Sequence, residues 1–368
     1  MFTKMICQQR NALFIPVVLP VVLIVTILLF YPAASCFAVM ADDGQQLLGK
    51  KVEGSSFSFG AGLSLLLHNA EGKEYVYADE EVAQEVGQPI AGDKISDLRW
   101  QTKNAQLVGV NVSAAYKHFF SLNLGYWGKV SAGNGRHTDD DWMIWLNGGQ
   151  ALQTNYSEGR SELKTGNIFD MNGKINVLPS WDSPFQVHGL LGYKKMHWGW
   201  KEHDSYGIYF FPNDDSRLIG GDDVVGATGD GIVWQSTGVG ITYDQTISIP
   251  YIGLKAGYGK GAVNVEAYVL YSGWTQIEVE DHHLARSMIS EGTFDDGQYL
   301  AGGANVAWNF YKKLTAVGTV EFEDLSTTKG DASTTLPVNE NGDMGTFEAD
   351  EGAAYNGVSF MLNIIYPF

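Results

Sequence analysis

The chain has 368 residues and a formal charge of −18, with 42 Asp and Glu against 24 Lys and Arg. That balance argues against nucleic-acid binding, which calls for clustered cations. Its only cysteines, Cys7 and Cys36, lie in the first 41 residues, so the remainder has no disulfide, thiol nucleophile or cysteine metal site.

Residues 1–41 read as a cleavable secretory signal peptide. Lys4 and Arg10 form a basic start, 12–30 is almost wholly apolar, and small residues follow at Ala33, Ala34, Ser35, Ala38 and Ala41. Cleavage is expected after Ala38 or Ala41, with Ala41 preferred because Asp42-Asp43 follows. A retained anchor is the alternative, since the run is long enough to span a bilayer, but Pro16 and Pro20 weigh against it. A lipoprotein site at Cys36 lacks the expected Leu. The mature chain, 42–368, then carries 22 cations and 42 acids, a balance of −20. An acidic outer face attracts cationic peptides or proteins.

Beyond the signal no apolar run approaches the roughly 18 residues of a membrane helix, which excludes a helical membrane protein. Abundant Gly (44), Tyr (18), Phe (18) and Trp (10) with short apolar segments instead fit a transmembrane β-barrel. Period-two patterning predicts ten strands, near 54–70, 97–116, 119–134, 169–180, 184–200, 236–257, 262–275, 296–310, 314–325 and 353–368. The last carries Phe360, Leu362, Ile364, Tyr366 and the terminal Phe368 in alternation. Short turns at 116–118, 180–183, 259–261 and 311–313 alternate with long loops at 71–96, 135–168, 201–235, 276–295 and 326–352. The fold class is therefore all-β: a ten-stranded antiparallel transmembrane barrel with short periplasmic turns and long extracellular loops, in one domain. An even strand count leaves no open edge, which hydrocarbon forbids. The loops hold most of the acids, including Asp79-Glu80-Glu81, Asp214-Asp215, Asp222-Asp223 and Asp350-Glu351, which read as solvated surface.

Two clusters carry possible chemistry. The first is His137-Thr138-Asp139-Asp140-Asp141-Trp142-Met143. On extended backbone Asp139 and Asp141 share a face and Asp140 points away. Two close carboxylates can share a proton, orient a water or bind a cation, and a solvated acidic loop is the plain alternative. The second is Tyr271-Ser272-Gly273-Trp274 followed by Glu278-Val279-Glu280-Asp281-His282-His283. Asp281 and His283 share a face, and a carboxylate beside an imidazole makes a general base. Two idle loop histidines are the alternative. No cysteine or HxxxH pattern supports zinc, and no metal is expected.

These segments, with Ile249-Pro250-Tyr251-Ile252-Gly253-Leu254, resemble the omptin family of outer-membrane endopeptidases over most of the mature chain. The resemblance implies four catalytic residues. Asp139 and Asp141 match the pair that holds the attacking water, and Asp281 and His283 match the pair that activates it, without a covalent intermediate. It implies no cofactor, with lipopolysaccharide as the one lipid that activity could require. It further implies an outer-membrane location in a Gram-negative bacterium, an outward-facing site, a monomer, and cationic peptides or proteins cut at or near basic residues. Lys73-Glu74-Tyr75-Val76-Tyr77 resembles the segment supplying one acid of the substrate pocket, at Glu74. The second acid falls on Val279, a departure from the family pattern. A lipopolysaccharide contact on the barrel exterior is expected at Tyr193, Lys194 and Lys195. A non-enzymatic barrel with the same fold, adhesin-like or a degenerate relative, is the alternative reading.

Overall fold

A computed structural model describes residues 57–368 except 79–91, 118, 143, 147–149, 154, 178–183, 210–223, 229–230, 312–313 and 337–344. The signal segment, the acidic runs at 79–81, 214–215 and 222–223, and the turns at 180–183 and 312–313 lie outside the described residues.

Among the described residues, ten long strands make one antiparallel sheet that closes on itself. They are β1 (Phe57–Tyr77), β2 (Lys94–Tyr116), β3 (Phe120–Ser131, resuming as Gly135–Asp141), β4 (Asn155–Asn176) and β5 (Phe185–Tyr209). Then come β6 (Val239–Lys260), β7 (Val263–His283), β8 (Met288–Tyr311), β9 (Leu314–Thr335) and β10 (Thr346–Pro367). Each strand pairs with the next, and β10 pairs with β1 from Gly60↔Pro367 to Tyr77↔Asp350, which removes both edges. Two short hairpins, Ile144–Leu146 with Gln150–Leu152 and Val224–Thr228 with Gly231–Gln235, extend beyond β3 and β5. The β6–β7 connection is a two-residue turn, where Gly261 takes the positive φ (61°) that such turns demand.

The count of ten matches the alternation in the sequence, but the strands are longer than it suggests. β4 starts at Asn155 rather than near 169, and β7 runs to His283 rather than stopping at 275. The expected loop 276–295 shrinks to a 3-10 turn, Leu284–Arg286, closed by Ser287 in the left-handed region. The cause is chemical. Inside the bilayer one face meets lipid and the other the lumen, so hydropathy alternates. Above it the outer face turns polar and the lumenal face mixes aromatic rings with acids, so the alternation fades while the backbone ladder continues.

The lipid-facing band is legible on β1, where Phe57, Phe59, Leu63, Leu65 and Leu67 point outward and are exposed. Ten residue steps at ~3.3 Å each, tilted by about 40°, span roughly 25 Å, the height of an outer-membrane apolar band. Val108, Val110 and Val112 on β2, Ile252 and Leu254 on β6, and Phe360, Leu362 and Ile364 on β10 continue it around the ring. Trp308, Tyr311 and Tyr366 lie exposed toward strand ends, and Tyr271 and Trp274 lie exposed midway along β7, all places where amphipathic rings suit a membrane–water boundary.

The lumen is filled by layers. In the lower half a cavity of about 280 Å³ is bordered by polar groups such as Asn111, Lys174, Lys255 and Glu266. Above it Lys194 donates to Glu321 Oε1 at 2.8 Å and Glu323 Oε1 at 2.7 Å, and Tyr299 also donates to Glu323. Higher still, His68 stacks on Trp198 at 4.6 Å and bonds to Tyr355 and Ser359. Over these, Tyr243 stacks against both Trp100 (5.6 Å) and Trp200 (5.8 Å), and all three rings are fully buried. Gly72 makes room for this layer, since a Cβ there would sit 2.8 Å from the Trp200 ring.

The lumenal position of Lys194 corrects one expectation. Tyr193, Lys194 and Lys195 do not form a common outer surface, because successive strand residues point to opposite faces. Lys194 is buried and ion-paired inside the barrel, so it cannot touch lipid. Lys195 is exposed on the outer face, and Tyr193 bonds there to Ser248.

Candidate active site

The residues singled out in sequence converge above the lipid band, in the lumen of the outer rim. Asp139 and Asp141 lie on the upper segment of β3, and Asp281 and His283 end β7. Three strands separate β3 from β7 one way around the ring and five the other way, so they form facing walls. Strand periodicity sets the aim of each side chain. Asp141 and Asp281 are buried, whereas Glu278 and Glu280 face solvent and His282 bonds to Glu280 outside. Asp140 is turned to the other face, where Gln153 donates to it at 2.5 Å.

The upper part of β3 is held by its joint. Gly133 takes φ 68°, and a Cβ on Gly135 would lie 1.8 Å from the Gln101 carbonyl oxygen. Only glycine allows β3 to bend against β2 there and then resume pairing, with Asp139 opposite Leu98 and Ser157. Ser96 Oγ donates to Asp139 Oδ1 at 3.3 Å, and Asn155 Nδ2 donates to Asp141 Oδ2 at 3.1 Å. Burial, then repulsion from Asp141, pushes the Asp139 carboxyl well above the ordinary carboxylate range, with Arg286 and Ser96 partly offsetting the rise. Asp281 across the lumen adds to the repulsion, so the two walls are within each other's field.

On β7, His283 Nε2 and Asp281 Oδ2 are 2.6 Å apart. A carboxylate only accepts, so Nε2 donates in this contact, which leaves Nδ1 as the lone-pair nitrogen of the neutral imidazole tautomer. Asp281 lies deeper than His283, with 3 % and 14 % of their side chains exposed respectively. The other Asp281 oxygen, Oδ1, is buried with no hydrogen-bond partner.

Glu74 on β1 is 3 % exposed, with Oε2 buried and unpartnered. Burial, then the charges of Asp281, Glu351 and Asp139, drives its carboxyl well above its usual range. Val279 points into the same lumen and is buried, with no polar atom to offer.

Three lumenal groups escaped the sequence reading. Glu351 on β10 is buried and accepts a 2.7 Å bond from Ser290, the cross-strand neighbour of Asp281. It looked like one of a pair of loop acids, but it shares its phase with Ala353 and Tyr355, both buried. Glu202 lies in the segment read as a loop at 201–235. It packs against Gly159 and Gly240, where a Cβ would clash with its carboxylate. Burial lifts it to about 7, against the pull of the Ile241 and Gly240 N–H groups and of His283. His137 was noted only as part of its cluster. It sits 4.1 Å from Trp100 and is held neutral, down to about 3, by burial and then by His283.

Comparison with known proteins agrees with this architecture. The Omptin family model matches residues 54–368. The plasminogen activator of Yersinia pestis is 24 % identical over 268 residues, covering 72 % of this chain and 78 % of that protein. The outer membrane protease IcsP of Shigella flexneri is 26 % identical over 306 residues, covering 80 % and 86 %. Among solved structures, the outer membrane protease OmpT from Escherichia coli superimposes with a TM-score of 0.70 at 20 % identity, over 84 % of this chain and 97 % of that one. With the family matched from the first barrel strand to the last residue, the chain belongs to the omptin family, outer-membrane β-barrel proteases of Gram-negative bacteria.

Proposed function

We propose that this omptin hydrolyses peptide bonds with a water held between Asp139–Asp141 and Asp281–His283, acting on cationic peptides or proteins at or near basic residues. The observation that carries the reading is the 2.6 Å Asp281–His283 contact, facing the Asp139–Asp141 pair on the opposite wall, where burial raises the Asp139 carboxyl. In this mechanism His283 Nδ1 takes a proton from the water, and the hydroxide attacks the carbonyl carbon. Asp281 steadies the imidazolium that forms. Asp139 and Asp141 orient the water, and the Asp139 carboxyl, held protonated by its burial, stabilises the oxyanion with that proton. His283 then gives its proton to the leaving nitrogen, which breaks the C–N bond. No side chain becomes acylated, and Ser272, which accepts the Trp274 N–H and is fully buried, is no nucleophile.

The acidic rim supports cationic substrates. Glu74, Asp281 and Glu351 each keep a buried oxygen without a partner. Such a group costs on the order of 1–3 kcal/mol until a donor reaches it.

The test uses outer membranes containing the folded mature protein and a peptide library read by mass spectrometry. Cleavage at or near Arg and Lys is expected. Asp139→Ala and His283→Ala should each lower kcat by about 10²–10⁴, the usual share of acid–base catalysis, while heat-modifiable migration on gels shows an intact barrel. An uncut library would leave a barrel that binds cationic surfaces without hydrolysing them, and full activity in both variants would place the hydrolysis on other residues.

A further inference from the structure

The resemblance leaves one acid of the substrate pocket unaccounted for, because position 279 is a valine. The lumen supplies a carboxylate beside it from a different strand. Glu351 enters from β10, next to β1, where Glu74 stands two residues along the same inner face. It is 3 % exposed. Its Oε1 is tied down by Ser290, which in turn accepts from Thr334 at 3.1 Å, so Oε2 is left buried and unpartnered. Between Glu351 and Val279 stands Phe294. It covers Gly330, the cross-strand partner of Glu351, and Gly292, the partner of Val279. The inner wall here thus presents two buried, unpartnered carboxylate oxygens, with the apolar side chains of Val279 and Phe294 on β7 and β8. That arrangement suits a long side chain with an apolar stem and a cationic tip.

We propose that Glu351, with Glu74, forms the acidic end of the pocket that takes the substrate's basic side chain, in place of the acid missing at Val279. This rests on the endopeptidase reading above and adds a specificity-determining residue to it. Ser290 is a positioning residue, since it acts only through Glu351. The pair also stores a proton. Burial pushes Glu351 up to about 7 against the pull of the Ser290 hydrogen bond, with Asp281 adding repulsion and His283 opposing it. Glu74 is raised as well, with Asp281, Glu351 and Asp139 facing it. An incoming guanidinium ionises both acids, so binding a cation near pH 7 should release a proton.

Matched fluorogenic peptides carrying Arg or its neutral isostere citrulline at the basic position test the assignment. In Glu351→Gln, kcat/KM for the Arg peptide should fall at least tenfold, mainly through KM, while the citrulline peptide stays within twofold. Adding Val279→Asp to that variant should restore most of the Arg preference, since an acid there addresses the same cation. Equal losses on both peptides, or no loss on either, overturn the proposal. Calorimetric titration with benzamidine, in two buffers of different ionisation heat, needs no turnover and separates this idea from the catalytic one. The wild-type protein should bind with proton release, and Glu351→Gln should bind at least tenfold more weakly and release less. An absence of wild-type binding, or unchanged binding in the variant, also overturns it.

Discussion

At the scale of single residues the outer lumen is a set of acids held out of water. Glu202 shows the consequence for stability without touching the reacting groups proposed here. Its folded-state value of about 7 lies above its ordinary 4.5, so the folded protein binds more protons than the unfolded chain between those limits. Its favourable contribution is complete below about pH 4.5 and is lost as pH rises through 7. Replacing it by glutamine, which still accepts the Gly240 and Ile241 N–H groups, should therefore stabilise the barrel at pH 8, on the order of 2 kcal/mol, and change little at pH 4. Thermal midpoints in detergent at the two pH values measure this. A midpoint at pH 8 that drops in Glu202→Gln would mean the carboxylate is charged and welcome there.

At the scale of elements, the joint in β3 decides whether Asp139 and Asp141 face the other wall. Gly135→Ala forces a methyl onto the Gln101 carbonyl, so the upper segment must move. Displacements of about 1 Å at a catalytic group cost on the order of a hundredfold in rate. The expected outcome is a kcat at least tenfold lower with normal barrel migration on gels. Unchanged kcat would show that the segment tolerates the shift. This joint also marks how far the sequence could be read. The ten-strand count, and the shared phase of Asp139 with Asp141 and of Asp281 with His283, follow from a period of two and are visible in the residues. The outer halves of β4, β5, β8 and β9 are not, because polar residues on both faces erase the alternation that marks a strand. Glu202 and Glu351 were hidden for the same reason. Lys194 was misjudged differently: neighbouring lysines look alike in sequence, and one residue of strand phase separates a lipid-facing cation from a buried one.

At the scale of the whole molecule, the barrel is held together across its lumen as well as around its wall. Lys194 on β5 ties to Glu321 and Glu323 on β9, nearly opposite, and is buried with Glu323. Lys194→Met leaves two acids facing each other without a cation, and breaking such a buried pair costs about 3–5 kcal/mol. The urea midpoint of the folded barrel in micelles should fall accordingly, and Glu321→Gln with Glu323→Gln in the same chain should recover most of it. A midpoint that stays put would show that water already solvates these groups. The stacked rings of Trp100, Trp200 and Tyr243, with Trp198, Tyr355 and His68 beneath, have a different consequence, for the cell rather than for the fold. They stopper the tube below the proposed reacting groups. In that reading, fragments cut at the rim drift back to the medium they came from. The envelope thus carries a cutting edge on its outside without opening a hole behind it, and many copies leave its permeability barrier intact.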